Sequence, residues 1–183
     1  GSFNKWTGAA LTKDVAGSPA ATFIAYYKGR MFGVDETKTL YWSKIADPDT
    51  WTAPDGGSAP VGVSDAEGLV GLCPVGVSLL LFKEDSIARF TGTSQDSIRI
   101  DQETEGISAD IGCIAPGTIT RVENFAFFLS DRGVYVATEA GVQPVGTKID
   151  SDLRAIDPTY RSKAWAVHNK RRAEVWLFVP KKN

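Results

Sequence analysis

Across residues 117–146 the apolar positions fall into four short runs separated by turn residues. Residues 119–122 stop at Glu123-Asn124, 125–130 stop at Asp131-Arg132-Gly133, 134–138 stop at Glu139-Ala140-Gly141, and 142–145 close the set. Aromatic and β-branched residues suit a pleated, half-buried surface, and Asn and Gly accept the positive φ of tight hairpins. The pattern predicts a four-stranded antiparallel meander.

The second strand of that meander recurs, starting at Arg30, Val77, Phe125 and Arg172, at intervals of 47, 48 and 47 residues. Turn residues precede each start: Lys28-Gly29, Gly76, Asn124 and Asn169-Lys170. Second turns recur at 35–38, 83–85 and 131–133, and third strands at 40–43 with Trp42 and at 87–92 with Phe90. A repeat of four strands in about 40–50 residues marks propeller blades. The predicted fold is therefore all-β, a β-propeller of about four four-stranded antiparallel blades. It forms one domain over 3–183, with repeats near 20–63, 68–101, 117–146 and 162–183.

The last repeat holds a first strand (164–168) and a second (172–179), then stops at a turn. Its missing strands have candidates in residues 3–13, where Trp6-Thr7-Gly8 matches the Phe90-Thr91-Gly92 that ends a third strand. Strands from both chain ends would close the ring and leave no open sheet edge. The alternative is a longer protein in which further blades follow Asn183. Gly1-Ser2, with no initiator Met, reads as a cloning scar, which puts the native N-terminus elsewhere.

Among the connections, 44–68 is the longest; it carries a turn at Asp47-Pro48-Asp49 and a fourth strand near 59–63. Residues 97–100 read as a strand, followed by an acidic loop with Asp101, Glu103, Glu105 and Asp110. Residues 148–158 fit one helical turn, capped by Asp150 or Ser151 and ended before Pro158.

A net charge of -2 gives no argument for wholesale nucleic-acid or membrane binding. The longest apolar run is far short of the roughly 20 residues of a membrane helix. Cys73 and Cys113 occupy non-equivalent repeat positions and read as free buried thiols, with no metal site around them. His168, the only histidine, has no nucleophile or carboxylate pattern directed at it and reads as structural or exposed. Asp35, Glu84, Asp85 and Asp131 occupy equivalent second turns. Paired carboxylates at a channel mouth would suit glycoside hydrolysis, but Asp in such turns is ordinary turn chemistry.

Trp6, Trp42, Trp165 and Trp176 are assigned to packing between blades, and Trp51 is left as a surface candidate. Residues 161–183 carry seven basic side chains against Glu174, while 96–110 is mainly acidic. These segments read either as solvated rims or as complementary patches through which copies dock side by side; a basic rim facing nucleic acid is the weaker third reading. No catalytic, cofactor-binding or metal-binding residue is assigned.

Three stretches carry a resemblance. Gly29-Arg30-Met31-Phe32-Gly33 leads through Leu40-Tyr41-Trp42-Ser43 to Asp47-Pro48-Asp49-Thr50-Trp51, and residues 79–92 and 127–135 follow as further blades. Over roughly 20–180 the chain resembles the propeller-type tail proteins of tailed bacteriophages, the tubular or nozzle and tail-accessory group. The resemblance implies a non-enzymatic virion component of the tail or head-to-tail connector, assembled in the host cytoplasm. Its partners would be other virion proteins, with self-association into a ring around the DNA channel, and neither membrane nor sequence-specific nucleic acid. Proteins of that group are generally longer, which implies an excised domain or a small relative. A carbohydrate-binding or glycoside-hydrolysing propeller is the alternative from another class.

Overall fold

The computed structural model describes residues 3–37, 39–62, 68–102 and 106–180. Gly1, Ser2, Lys38, Val63, Glu103, Glu105, Lys181 and Lys182, each part of an expectation above, lie outside them. The chain divides into two compact units, one of residues 1–69 and 92–98, the other of 70–91 and 99–183.

In the first unit β1 (Lys5–Trp6) and β2 (Leu11–Thr12) form a hairpin. β3 (Phe23–Tyr27), β4 (Arg30–Val34), β5 (Thr39–Trp42) and β6 (Gly57–Pro60) form an antiparallel sheet in sequence order. The β3–β4 turn places Lys28 at φ 45° and Gly29 at φ 80°. Two positive φ values match the twist of the strands they join. Phe32, Val34 and Leu40 are fully buried, and Trp42 nearly so.

Arg30, also buried, donates from Nη1 to the carbonyls of Ser43 (2.6 Å) and Asp55 (2.5 Å), and from Nη2 to that of Thr93 (2.9 Å). Burial pushes its pKa down and Asp55 pulls it up, with burial the larger effect. A buried guanidinium is tolerated because three carbonyls replace its water. The Phe3 ring lies 4.8 Å from that of Trp51 and covers Gly33, where a Cβ would sit 3.0 Å from the ring. That contact, with the Lys5–Asp49 ion pair, fixes the N-terminal segment against the β3–β6 sheet.

The second unit contains two more four-stranded meanders. The first is β7 (Leu69–Val75), β8 (Ser78–Lys83), β9 (Ile87–Thr91) and β10 (Arg99–Asp101). The second is β11 (Thr120–Val122), β12 (Phe125–Ser130), β13 (Gly133–Thr138) and β14 (Gly141–Pro144). Two short helices, α1 (Asp150–Arg154) and α2 (Pro158–Arg161), lead to the hairpin of β15 (Trp165–Asn169) and β16 (Glu174–Phe178).

Sheet stacks on sheet in this unit, and β12 shows how. Side chains alternate between the faces of a strand. Ala126 and Phe128 pack with Cys73, Val75, Leu80, Phe82 and Ile87 of the preceding meander. Phe127 and Leu129 pack the other way, with Leu153, Ala164, Val175 and Leu177. A strand covered on both faces reads as an unbroken apolar run, which is why residues 125–129 show no polar alternation. Glu139, in the β13–β14 turn, adds a polar clasp between the two meanders. Its Oε1 accepts from Val77 N (2.9 Å) and Ser78 Oγ (2.6 Å), and a Cβ on Gly76 would collide with the carboxylate.

Three expectations shift. The strand placed at 97–100 begins at Arg99, because Ser94 and Ser97 close a capping box around a 3₁₀ turn at Gln95–Ser97. The single helical turn is two helices. α1 is capped by the backbone of Ile149, not by Asp150 or Ser151, and Pro158 opens α2 with Asp157 accepting from Thr159 N (2.8 Å). Proline at a first helical position loses no hydrogen bond, so it starts a helix as readily as it stops one. Finally, Arg172 lies in the β15–β16 turn, and β16 starts at Glu174 after Ala173 takes φ 52°.

Candidate interaction surface

Two of the four carboxylates of the second turns, Asp35 and Asp131, are engaged locally. Asp35 accepts from Thr37 N and Oγ1, Thr39 N and Tyr41 OH at 2.7–3.1 Å. Burial pushes its carboxyl up, but these four donors together hold it below the usual range. A carboxylate with a lowered folded pKa contributes stability that is present above the unfolded value of about 3.9 and lost as pH falls through the folded one. Asp35→Asn is therefore expected to be less stable than the parent at pH 7, with the gap narrowing as pH drops below about 4. Urea unfolding at pH 7 and pH 3 checks this; a gap constant with pH would contradict it. Asp131 accepts from Ser130 Oγ (2.9 Å), and Glu84 and Asp85 are exposed.

Cys73 and Cys113 are free and buried, and burial pushes both thiols up to about 11. No cluster of His, Cys, Asp or Glu suited to a metal occurs among the described residues. No helix among them is long and apolar enough to cross a membrane.

The charged segments are less opposed than the sequence implied. Asp101 is buried at the end of β10, paired with Arg89 at 2.9 Å and Arg99 at 3.5 Å. Asp110 pairs with Arg132 at 3.1 Å. Two of the five acidic residues of 96–110 are thus matched within their own unit.

The tryptophans sort differently from expectation. Trp42 is buried as expected, but Trp51, the surface candidate, is buried under Phe3, and its Nε1 donates to Pro48 O (2.8 Å). Trp6, Trp165 and Trp176, assigned to buried packing, are 66%, 51% and 47% exposed. A proline-rich loop can fold back over its own aromatic, while a hairpin that forms a two-stranded sheet leaves one face uncovered.

On β15 and β16 the burial alternates along each strand. Ala166, Val175 and Leu177 face the core beside β12. Trp165, Val167, Trp176 and Phe178 face outward, with Trp165 and Phe178 stacked at 4.2 Å and 12°. Thr120 Oγ1 holds β15 against β11 through Ala166 O (3.1 Å). The result is an exposed apolar face of three aromatic rings and a valine. β16 pairs with β15 alone, so its second backbone edge has no partner strand among the described residues. Contiguous exposed apolar surface is a feature that protein interaction sites share.

No curated protein matches the chain. A family profile described as bacteriophage P22 Gp10, β-propeller, matches residues 10–179, which include all three four-stranded sheets and the β15–β16 hairpin. The match bears out the resemblance to propeller-type phage proteins read from residues 29–51, 79–92 and 127–135. The chain belongs to the bacteriophage P22 Gp10 β-propeller family.

Proposed function

We propose that this chain is a non-enzymatic structural component of a phage virion, in the tail or head-to-tail connector, and that it works through protein–protein interfaces. The observation that carries the reading is the apolar face of Trp165, Val167, Trp176 and Phe178 on a sheet whose β16 edge has no partner strand among the described residues. Family membership supplies the phage setting. Asp35 and Asp131 are engaged in their own turns and both thiols are buried, which supports the non-enzymatic reading.

In this reading the propeller has four blades. β15 and β16 belong to the last of these blades. Copies associate into a ring, assembled in the host cytoplasm, with other virion proteins as further partners. The glycan alternative rests on the rim carboxylates and Trp51; Trp51 is buried, so only the exposed Glu84 and Asp85 still speak for it. The test is the double variant Trp165→Ser/Trp176→Ser. Both side chains are exposed, so the fold is expected to survive while self-association is lost; a variant that assembles like the parent would overturn the reading.

A further inference from the structure

A cleft of about 480 Å³ opens in the second unit, lined by Arg121, Glu123, His168, Lys170 and Ala173. Its walls are two hairpin turns, β11–β12 and β15–β16, held side by side by the Thr120–Ala166 bond between their leading strands. Three of the five lining residues carry nitrogen donors. Arg121 uses Nε on Glu123 O (3.2 Å), and among the described residues its guanidinium makes no ion pair. Lys170 is exposed and likewise enters no ion pair there. His168 Nδ1 is buried from solvent with no hydrogen-bond partner. Each wall is shaped by a non-glycine residue in the left-handed region, Glu123 at φ 48° and Ala173 at φ 52°. Such conformations recur where a backbone is held for a purpose.

Buried polar atoms ordinarily find partners. A nitrogen without one, set beside an arginine and a lysine that enter no ion pair among the described residues, leaves two cations against the single Glu123 carboxylate of the cleft and calls for an oxyanion to complete the group. The volume falls within the roughly 300–1,000 Å³ of small-ligand sites, and a guanidinium fork with an ammonium is the usual phosphate-recognising pair. No Phe, Tyr or Trp is among the described residues that line the cleft, which favours recognition of the anion over a base or sugar face.

We infer that the cleft between the β11–β12 and β15–β16 turns binds a phosphate group through Arg121, His168 and Lys170. The phosphate could belong to a free small anion or to a phosphodiester backbone, and the test separates them. The full chain is titrated calorimetrically at low chloride with inorganic phosphate and, separately, with a short single-stranded oligodeoxynucleotide. The parent is expected to bind at least one probe. Arg121→Gln and Lys170→Gln should each weaken that binding about tenfold, the loss of one charge-assisted contact. Lys163→Gln, before the opposite end of β15, should leave it unchanged. Binding of inorganic phosphate identifies a free-anion site, and binding of the oligonucleotide alone identifies a backbone site. Absence of binding to both probes overturns the inference, as does binding insensitive to both cleft variants or equally weakened by Lys163→Gln. Far-UV circular dichroism verifies that each variant is folded.

Discussion

Phe128→Ala is expected to destabilise the protein by about 3–5 kcal/mol. Phe128 is fully buried on β12, 5.1 Å from the Phe82 ring of the preceding meander and 6.1 Å from Tyr135. It therefore fills the space between two stacked sheets. Truncation removes the apolar contact and leaves a cavity that neither sheet can readily close, because β12 is paired with β11 over 125–127 and with β13 over 126–130. Cavities that cannot collapse give the upper part of the range for such substitutions. The measurement is the free energy from urea unfolding, and a loss under about 1 kcal/mol would mean that these sheets do not stack through this ring.

Trp42→Ala is expected to cost a similar amount, about 3–5 kcal/mol. Trp42 lies opposite Phe32 in the β4–β5 register, and the ring crosses β6 at Gly57. A Cβ on Gly57 would approach Cζ2 of the ring to 2.7 Å, so the tryptophan occupies room that only glycine leaves. Removing the ring empties that room and exposes the neighbouring core of Phe32 and Leu40. The same unfolding measurement applies, and a change below about 1 kcal/mol would show that the ring is not part of the first unit's core.

The meanders were legible because each blade obeys local rules. Strand periodicity and turn chemistry at 117–146 place β11 to β14 within one or two residues of their observed bounds. The interval of 47 or 48 residues then transfers that assignment to β4 and β8. Tertiary effects were not legible in the same way. Nothing local shows that Phe3 folds over Gly33 and Trp51, or that Asp101 is buried between Arg89 and Arg99. The exposed face of β15 and β16 was in part readable, since Trp165-Ala166-Val167 and Val175-Trp176-Leu177-Phe178 place large apolar side chains on both sides of each strand. Alternate positions enter the core and the rest face outward, but which set faces outward depends on the sheet beside them. The basic cleft was missed because Arg121 and Lys170 stand 49 positions apart, one in the third repeat and one in the fourth.

The measurement that tests the structural role most directly is the solution mass of the full chain by light scattering, across a concentration series at low and moderate salt. Assembly through an apolar face resists salt, whereas assembly through exposed ion pairs weakens as screening rises. The account predicts a mass that is a multiple of 19.7 kDa, retained at moderate salt and reduced to a single chain by Trp165→Ser/Trp176→Ser. A single-chain mass for the parent at every concentration and both salts would contradict it.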